Sequence, residues 1–158
     1  MRHTVVDSPL GELTLVADDD GLTGLYFEEH LRRPVELGPR VDEGFEAAAG
    51  QLREYFAGTR TGFDLDLAPR GSEFQREVWK LLTKIPHGRT TTYGELAREL
   101  GDPGLAQAVG AANGRNPVSI VVPCHRVVGS DGALTGYAGG LSRKRFLLDL
   151  EQPDGRLF

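Results

Sequence analysis

Cys124 is the single cysteine of the chain and stands in the string Pro123-Cys124-His125-Arg126. A thiol near its free pKa is only a few per cent thiolate at neutral pH, so a nucleophilic cysteine needs a base or a positive field nearby. His125 is the obvious base. Neighbouring side chains of an extended chain point to opposite faces, so this pair requires a sharp bend at Pro123 or a bridging water. Glu151, from a distant part of the chain, is a candidate to orient His125 as the third member of a triad.

The same residues also have ordinary structural interpretations, which spacing alone leaves open. A lone cysteine on an apolar run is usually a core residue that behaves as a small hydrophobe. His125 could cap a loop, and Glu151 could be a solvated helix end. A reactive role for Cys124 is favoured, because Pro123 interrupts the apolar run and several glycines lie in the loop after Cys124. The four histidines show no HExxH spacing and one cysteine cannot form a multi-thiolate zinc site, so we expect no metal.

The 158-residue chain is 39% hydrophobic and 26% charged, as in globular proteins of one domain or two small ones. Residues 1–70 carry 7 basic and 14 acidic side chains, whereas residues 71–158 carry 11 and 9. The net charge of −5 argues against nucleic acid, but the more basic second part can meet a polyanion on one face. No apolar run approaches the ~20 residues that span a bilayer. Because the single cysteine fits a reducing compartment, we expect a cytoplasmic protein without membrane contact.

The elements of the first part are predicted from local patterns. Residues 12–16 and 22–27 are rich in β-formers and flank an Asp-Gly turn, which predicts a hairpin. Apolar residues at helical spacing predict a helix over 42–57, ended by Gly58. Residues 63–67 alternate apolar and acidic side chains, as a half-exposed strand does. The chain then breaks where the charge changes, so we expect one domain up to residue 70 and a second from there to 158.

Helical patterns dominate the second part. Ser72 with Gln75 is a capping-box signature that begins one helix, and Thr92 with Glu95 begins another. A further helix is predicted over 103–113 after a glycine turn, and two short helices so joined are the outline of a helix-turn-helix. This last helix is made of unusually small residues, which lets its backbone approach another surface closely. That surface is DNA or simply another helix.

The remaining elements surround the cysteine. Residues 120–128 are predicted to be a buried strand that is interrupted at Cys124. Ser142 is predicted to cap a final helix that ends near Glu151. The strand therefore ends in the candidate site, and the helix carries the candidate orienting carboxylate to it.

The chain resembles the O6-alkylguanine-DNA alkyltransferases, also called methylated-DNA–protein-cysteine methyltransferases. The motif is residues 123–127 (PCHRV), preceded by Asn116-Pro117 and followed by residues 136–140 (GYAGG). Further similarity lies in residues 74–79 (FQREVW), 85–88 (IPHG), 92–97 (TYGELA) and 108–110 (AVG), and more weakly in 8–13 (SPLGEL). It covers essentially the whole chain.

The resemblance implies an α+β protein, with a small N-terminal α/β domain of ribonuclease H-like type and a helical C-terminal domain with a winged-helix-like helix-turn-helix. It implies a suicide repair protein that moves the alkyl group from O6 of guanine, and from O4-alkylthymine, to Cys124 in one turnover without a cofactor. The implied partner is alkylated DNA, bound through the minor groove by a monomer.

Roles follow from the same resemblance. Cys124 is the acceptor, His125 the base through a water, Glu151 its orienting group and Asn116 the brace of the cysteine loop. Tyr93 and the backbone N–H of Ala138 face the O6 atom, and the carbonyls of Cys124 and Val127 read the guanine edge. The pocket is further lined by Tyr137, Gly139 and Gly140, and the residues implied to meet DNA are Ala106, Gln107, Ala108, Gly110, Ala111 and Arg115.

One position departs from the family pattern. The family usually has an arginine one residue before Ala-Val-Gly, which fills the space left by the extruded base, and this chain has Gln107 there. Glutamine is shorter and uncharged, so it loses a cationic contact and part of the stacking surface. The departure puts base flipping in duplex DNA in doubt more than the transfer chemistry.

Three other functions are compatible with parts of the pattern. A lesion-binding protein that flags alkylguanine with weak transfer is the main alternative, because of Gln107, although such proteins have another residue in place of Cys124. A cysteine hydrolase would need an oxyanion motif that is not evident. A helix-turn-helix regulator would bind an intact sequence and have no requirement for the thiol.

Overall fold

The computed structural model describes residues 1–30 and 33–152, so the last six residues of the predicted second domain lie outside it. The first part holds a three-stranded antiparallel sheet in the order β1-β2-β3, followed by one helix. Its elements are β1 (Arg2–Val6), β2 (Leu13–Asp18), β3 (Gly21–Phe27) and α1 (Glu46–Phe56). The predicted hairpin is confirmed, with Leu15 opposite Leu25. Strand β1, which the sequence analysis did not predict, covers the free edge of β2.

Two predictions for the first part need correction. Helix α1 begins at Glu46 rather than at 42, because Gly44 has a left-handed φ of 92° and cannot continue a helix backward. Residues 63–67 do not form a strand. They pair with β3 only through a single bridge between Leu22 and Leu67. The alternating pattern therefore reflects half-buried apolar side chains and exposed acidic ones, without the hydrogen-bond ladder of a strand.

The second part is helical around a two-stranded parallel pair. Its elements are α2 (Glu73–Leu82), β4 (Thr91–Thr92), α3 (Tyr93–Glu99), α4 (Ala106–Gly114), β5 (Val127–Val128) and α5 (Leu141–Glu151). The capping box is confirmed: Ser72 Oγ accepts from the Gln75 N–H at 3.1 Å, and the Gln75 side chain accepts from the Ser72 N–H at 2.9 Å. A short 3₁₀ turn, Pro103–Leu105, connects α3 to α4 and gives the predicted helix-turn-helix.

The prediction of a strand over 120–128 is wrong except for β5. Ile120 has a φ of 73°, which strains a β-branched residue, and the following amides bond to carbonyls only two to four residues back. The backbone groups that a strand would share with a neighbour are used in these tight turns. Helix α5 begins at Leu141 with Gly140 at its N-cap, not with Ser142, because Gly140 takes a φ of 91° that turns the chain into the helix.

One continuous apolar core runs through both parts, from Phe27 and Tyr55 to Val78 and Val109. Trp79 Nε1 donates to the Ala112 carbonyl at 2.8 Å and so fixes α2 against α4. Within the ranges that the structure describes, no helix is both long and apolar enough to cross a bilayer.

Candidate active site

Cys124 begins a 3₁₀ turn, Cys124–Arg126, and its side chain is 3% exposed. The loop before it is held by Asn116, whose Nδ2 donates to the Val122 carbonyl at 2.8 Å and whose Oδ1 accepts from the Val118 N–H at 3.0 Å. Asn116 is itself buried, so both bonds are shielded from water. The amide therefore fixes the tight turns that present the thiol.

Cys124 and His125 lie in this 3₁₀ turn, so the backbone bends after Pro123 instead of running extended. His125 is fully buried, and its Nε2 lies 2.8 Å from Oε2 of Glu151, at the last residue of α5. The Nδ1 atom has no hydrogen-bond partner within residues 1–30 and 33–152. Because a carboxylate only accepts, this bond places the proton on Nε2 and leaves a lone pair on Nδ1, which is the tautomer a base needs.

Glu151 also binds Arg126 and Tyr55. Arg126 donates from Nε to Oε1 at 2.8 Å and from Nη2 to Oε2 at 2.9 Å, and its Nη1 donates to the Ile85 carbonyl at 2.6 Å. Tyr55, on α1, donates its hydroxyl to Oε2 at 2.6 Å. The Glu151 carboxylate is thus the centre of a buried cluster, in which His125, Arg126 and Tyr55 all hydrogen-bond to it.

Burial controls the ionisation of this cluster. It raises the pKa of Cys124 to about 11, against the opposing effects of the Asn116 side chain and the charge of Lys144. Burial also lowers the pKa of His125 more than Glu151 raises it, so the imidazole is neutral at pH 7. Burial disfavours the Glu151 anion, but the bonds from His125 and Arg126 outweigh this and hold its pKa well below the usual range. At neutral pH the site therefore contains a thiol, a neutral imidazole and a carboxylate.

The loop after β5 forms a wall beside the cysteine. Lys144, buried on α5, donates from Nζ to the carbonyls of Val127 at 2.7 Å and Thr135 at 2.9 Å. Tyr93, at the start of α3, has its hydroxyl 2.7 Å from Oγ1 of Thr135. Tyr137 is buried, and among the residues that the structure describes no group lies within hydrogen-bond distance and geometry of its hydroxyl. The loop is thus tied to α5 and α3 while it leaves polar atoms available.

The tip of this loop lies against the N-terminal sheet. A Cβ atom on Gly139 would come within 2.5 Å of the Phe27 ring, so no larger residue fits without movement. Ala138 is half-buried and Gly140 is exposed at the start of α5. The loop that forms the wall of the site therefore packs against Phe27, the last residue of β3.

The residues expected to meet DNA are divided between two faces of α4. Gln107, Ala108, Ala111 and Arg115, just after the helix, are exposed. Ala106 and Gly110 are half-buried, and the position of a Gly110 Cβ would be 3.7 Å from the Tyr93 ring, so these two serve helix packing as much as any outer surface.

Asn113 links this helix to the site, with Nδ2 3.5 Å from the Cys124 carbonyl. The structure thus brings Cys124, His125, Glu151 and Asn116 together, with Tyr137 and Val127 beside them. It leaves the exposed residues of α4 on a separate outer face.

Three residues that complete the site were missed from the sequence. Tyr55 reads as a core residue of an amphipathic helix, Asn113 as a polar residue near a helix end, and Lys144 as one of three basic residues at a helix start. A local signal exists only for Lys144. It stands three and four residues before the apolar Leu147 and Leu148, and this helical spacing places it on the buried face of α5. In the chain as described, no group of three or more histidine, cysteine, aspartate or glutamate side chains is placed to hold a metal ion.

The fold and the site define a protein with one buried cysteine followed in the chain by a carboxylate-held imidazole, on a helix-turn-helix scaffold beside a small sheet domain. The family model for the ribonuclease-like domain of 6-O-methylguanine DNA methyltransferase matches residues 1–69, and the model for its DNA binding domain matches residues 73–153. The chain belongs to this family.

Named relatives are similar to this chain over nearly its full length. A methylated-DNA–protein-cysteine methyltransferase of Mycolicibacterium paratuberculosis is 52% identical over 156 residues, with 96% of this chain and 93% of the relative covered. One from Methanosarcina acetivorans is 47% identical, with 96% and 98% covered. OGT of Mycobacterium tuberculosis, solved in complex with DNA, has a TM-score of 0.90 and 50% identity, with 97% and 94% covered. The expected α+β fold of two parts is therefore confirmed.

Proposed function

We propose that this protein removes the alkyl group from O6 of alkylguanine in DNA and transfers it to Cys124 of its own chain in a single turnover. The observation that carries the proposal is the buried bond between His125 Nε2 and Glu151 Oε2, 2.8 Å long, next to a cysteine in a chain of this family. A carboxylate-held neutral imidazole is a base, and Cys124 is the thiol beside it.

Activation of the thiol is the first requirement. With a pKa of about 11, Cys124 has almost no thiolate at pH 7, so a base must take its proton as the reaction proceeds. His125 Nδ1 accepts this proton through a bridging water, and Glu151 stabilises the imidazolium that results. Sγ then bonds to the alkyl carbon while the bond from that carbon to O6 breaks, and the electron pair leaves with guanine.

The leaving guanine needs donors at O6, where negative charge develops. The Tyr93 hydroxyl and the Ala138 N–H are the proposed donors, and Thr135 holds that hydroxyl at 2.7 Å before lesion binding. The carbonyls of Cys124 and Val127 read the guanine edge, while Tyr137, Gly139 and Gly140 shape the space for the alkyl group. O4-alkylthymine presents a similar alkoxy carbon and is the proposed second substrate.

DNA meets the protein through the exposed face of α4, which we place in the minor groove. Ala108 and Ala111 let the helix backbone approach the sugars, Arg115 meets a phosphate, and Gln107 occupies the space left by the extruded base. The half-buried Ala106 and Gly110 lie on the inner face of α4, where the helix packs against the protein. The alkyl carbon lies inside the base stack, so the nucleotide must rotate out before transfer, at a cost of a few kcal/mol.

We further propose that the chain acts as a monomer, divided into domains at 1–70 and 71–158. The proposed location is the cytoplasm, where a reducing environment keeps Cys124 as a thiol. The transfer as written balances without a cofactor, and we propose none. The lesion-flagging alternative is less favoured, because it gives no role to a complete thiol, imidazole and carboxylate set.

The test is the intact mass of the protein after incubation with an oligonucleotide that contains O6-methylguanine. We expect a gain of one methyl group, located on Cys124, and a plateau of about one repaired lesion per protein molecule. Cys124→Ser is the matched control and should bind the lesion without gaining mass. Repeated turnover, or transfer by Cys124→Ser, would reject the mechanism.

A further inference from the structure

The contacts between the N-terminal part and the site include the following three. The Leu25 N–H donates to the Pro117 carbonyl at 2.8 Å, and Phe27 packs beneath Gly139. The third contact differs from these two because it reaches the catalytic carboxylate itself: the Tyr55 hydroxyl donates to Glu151 Oε2 at 2.6 Å. The two residues are 96 positions apart in the chain.

The ring of Tyr55 has little freedom to move this hydroxyl. It is 1% exposed and lies among the rings of Phe56, Phe63 and His87, with centroids 5.3, 5.4 and 6.2 Å away. Burial, together with the charge of Glu151, raises the pKa of Tyr55 well above its ordinary value, so the hydroxyl stays protonated and donates at every working pH. A rigid ring therefore presents a permanent donor to one oxygen.

That oxygen is the one which binds the base. Oε2 accepts from Tyr55 at 2.6 Å and from Arg126 Nη2 at 2.9 Å and lies 2.8 Å from His125 Nε2, whereas Oε1 accepts from Arg126 Nε at 2.8 Å. Together with the two Arg126 bonds, the Tyr55 bond fixes the rotation of the carboxylate, and it draws electron density from the atom that pulls on the Nε2–H. It thus influences both the direction and the basicity of His125.

We propose that Tyr55 is a positioning residue for alkyl transfer, by which the N-terminal part aligns Glu151 and, through it, the imidazole that activates Cys124. The inference rests on the proposed function, since it concerns the rate of that same transfer. It also assigns the N-terminal part a role in the chemistry that is distinct from contact with DNA.

Tyr55→Phe removes the hydroxyl and keeps the ring, and Tyr26→Phe is the matched control. Tyr26 also belongs to the N-terminal part and is buried, with 6% exposed, but it lies on β3 with its ring against His30 rather than against Glu151. Second-order rates of methyl transfer from an O6-methylguanine duplex are measured between pH about 5 and about 9, normalised to the folded fraction. We expect Tyr55→Phe to be about 10-fold slower, the size of one hydrogen bond to a charged group, and Tyr26→Phe to match wild type.

The pH profile separates positioning from loss of structure. Without Tyr55 the freed Oε2 pulls harder on the Nε2–H, which favours the imidazolium, so the acid limb of the profile should move to higher pH. In a His125→Gln background there is no base to align, and Tyr55→Phe should cause no further loss of rate. Lesion affinity, measured in a Cys124→Ser background, should be unchanged by Tyr55→Phe.

Equal rates and equal acid limbs for Tyr55→Phe and Tyr26→Phe would overturn the inference, as would a full 10-fold loss that persists in His125→Gln. A wild-type protein that gains no methyl group would instead reject the proposed function. If Tyr55→Phe does not fold, NMR of wild-type protein labelled at tyrosine decides. A slowly exchanging Tyr55 hydroxyl proton that shifts as His125 titrates supports the inference, and its absence overturns it.

Discussion

Replacement of Glu151 by glutamine should destabilise the protein strongly at neutral pH. Glu151 is 5% exposed and is the only anion that the structure places against the Arg126 guanidinium, which is 6% exposed, over the part of the chain described here. The amide of glutamine offers one acceptor and turns two N–H groups toward donors from His125, Arg126 or Tyr55. Glu151→Gln therefore leaves a buried cation without a counter-charge.

The size of the effect follows from that geometry. Removal of one partner from a buried ion pair costs about 3–5 kcal/mol, because the other charge remains desolvated and unpaired. Glu54→Gln is the matched control: Glu54 makes an ion pair of 2.7 Å with Arg60, but its side chain is 53% exposed. Exposed pairs contribute about 0–1 kcal/mol, so the two substitutions should differ severalfold in their effect.

The effect also has a defined pH dependence. The folded pKa of Glu151 lies below its ordinary value of 4.5, so the carboxylate stabilises the fold fully above that pH. The contribution is lost as the pH falls through the folded pKa. The gap between wild type and Glu151→Gln should thus be constant near neutrality and narrow in acid.

Urea unfolding of the two variants and wild type, monitored by Trp79 fluorescence at several pH values, measures these differences. A Glu151→Gln protein no less stable than Glu54→Gln at pH 7 would refute the account of the buried cluster. So would a gap that widens in acid. Transfer by the folded fraction of Glu151→Gln should also fall, by up to the ~10² to 10⁴-fold that general-base catalysis supplies, while lesion binding survives.

Three further substitutions test other parts of the site. Gln107→Arg should speed repair in duplex DNA, by up to the ~1–3 kcal/mol of a stacking contact, and leave reaction with free O6-benzylguanine unchanged; equal acceleration on both would place Gln107 in the pocket. Gly139→Ala should slow transfer to duplex and free base alike, because its Cβ would lie 2.5 Å from the Phe27 ring, and Phe27→Leu should partly restore the rate. An undiminished Gly139→Ala rate would show that the loop moves freely. Lys144→Met should slow iodoacetamide labelling of Cys124 at neutral pH, where Lys144, with a pKa of about 8, is still charged, because loss of that charge raises the pKa of the thiol further; unchanged labelling would exclude that electrostatic link.

Local chemistry was readable from the sequence wherever cause and effect lie within a few residues. The capping box of Ser72 and Gln75, the turn between β2 and β3 and the helix-turn-helix all depend on interactions between near neighbours in the chain. Local rules failed at residues 120–128, where apolar composition predicts a strand but Asn116 and the tight turns consume the backbone groups.

The sequence by itself therefore predicted a nucleophile, Cys124, and its base, His125, and it predicted the helix-turn-helix that contains α4. Only the tertiary structure decided that Tyr55 joins Glu151, the predicted orienting carboxylate, because the two residues are 96 positions apart and Tyr55 looks like an ordinary helix residue. The burial of Lys144 under the pocket loop was likewise decided by packing. Long-range contacts of this kind leave no periodic pattern in the chain, since their energy depends on desolvation and direction that exist only once the core has formed.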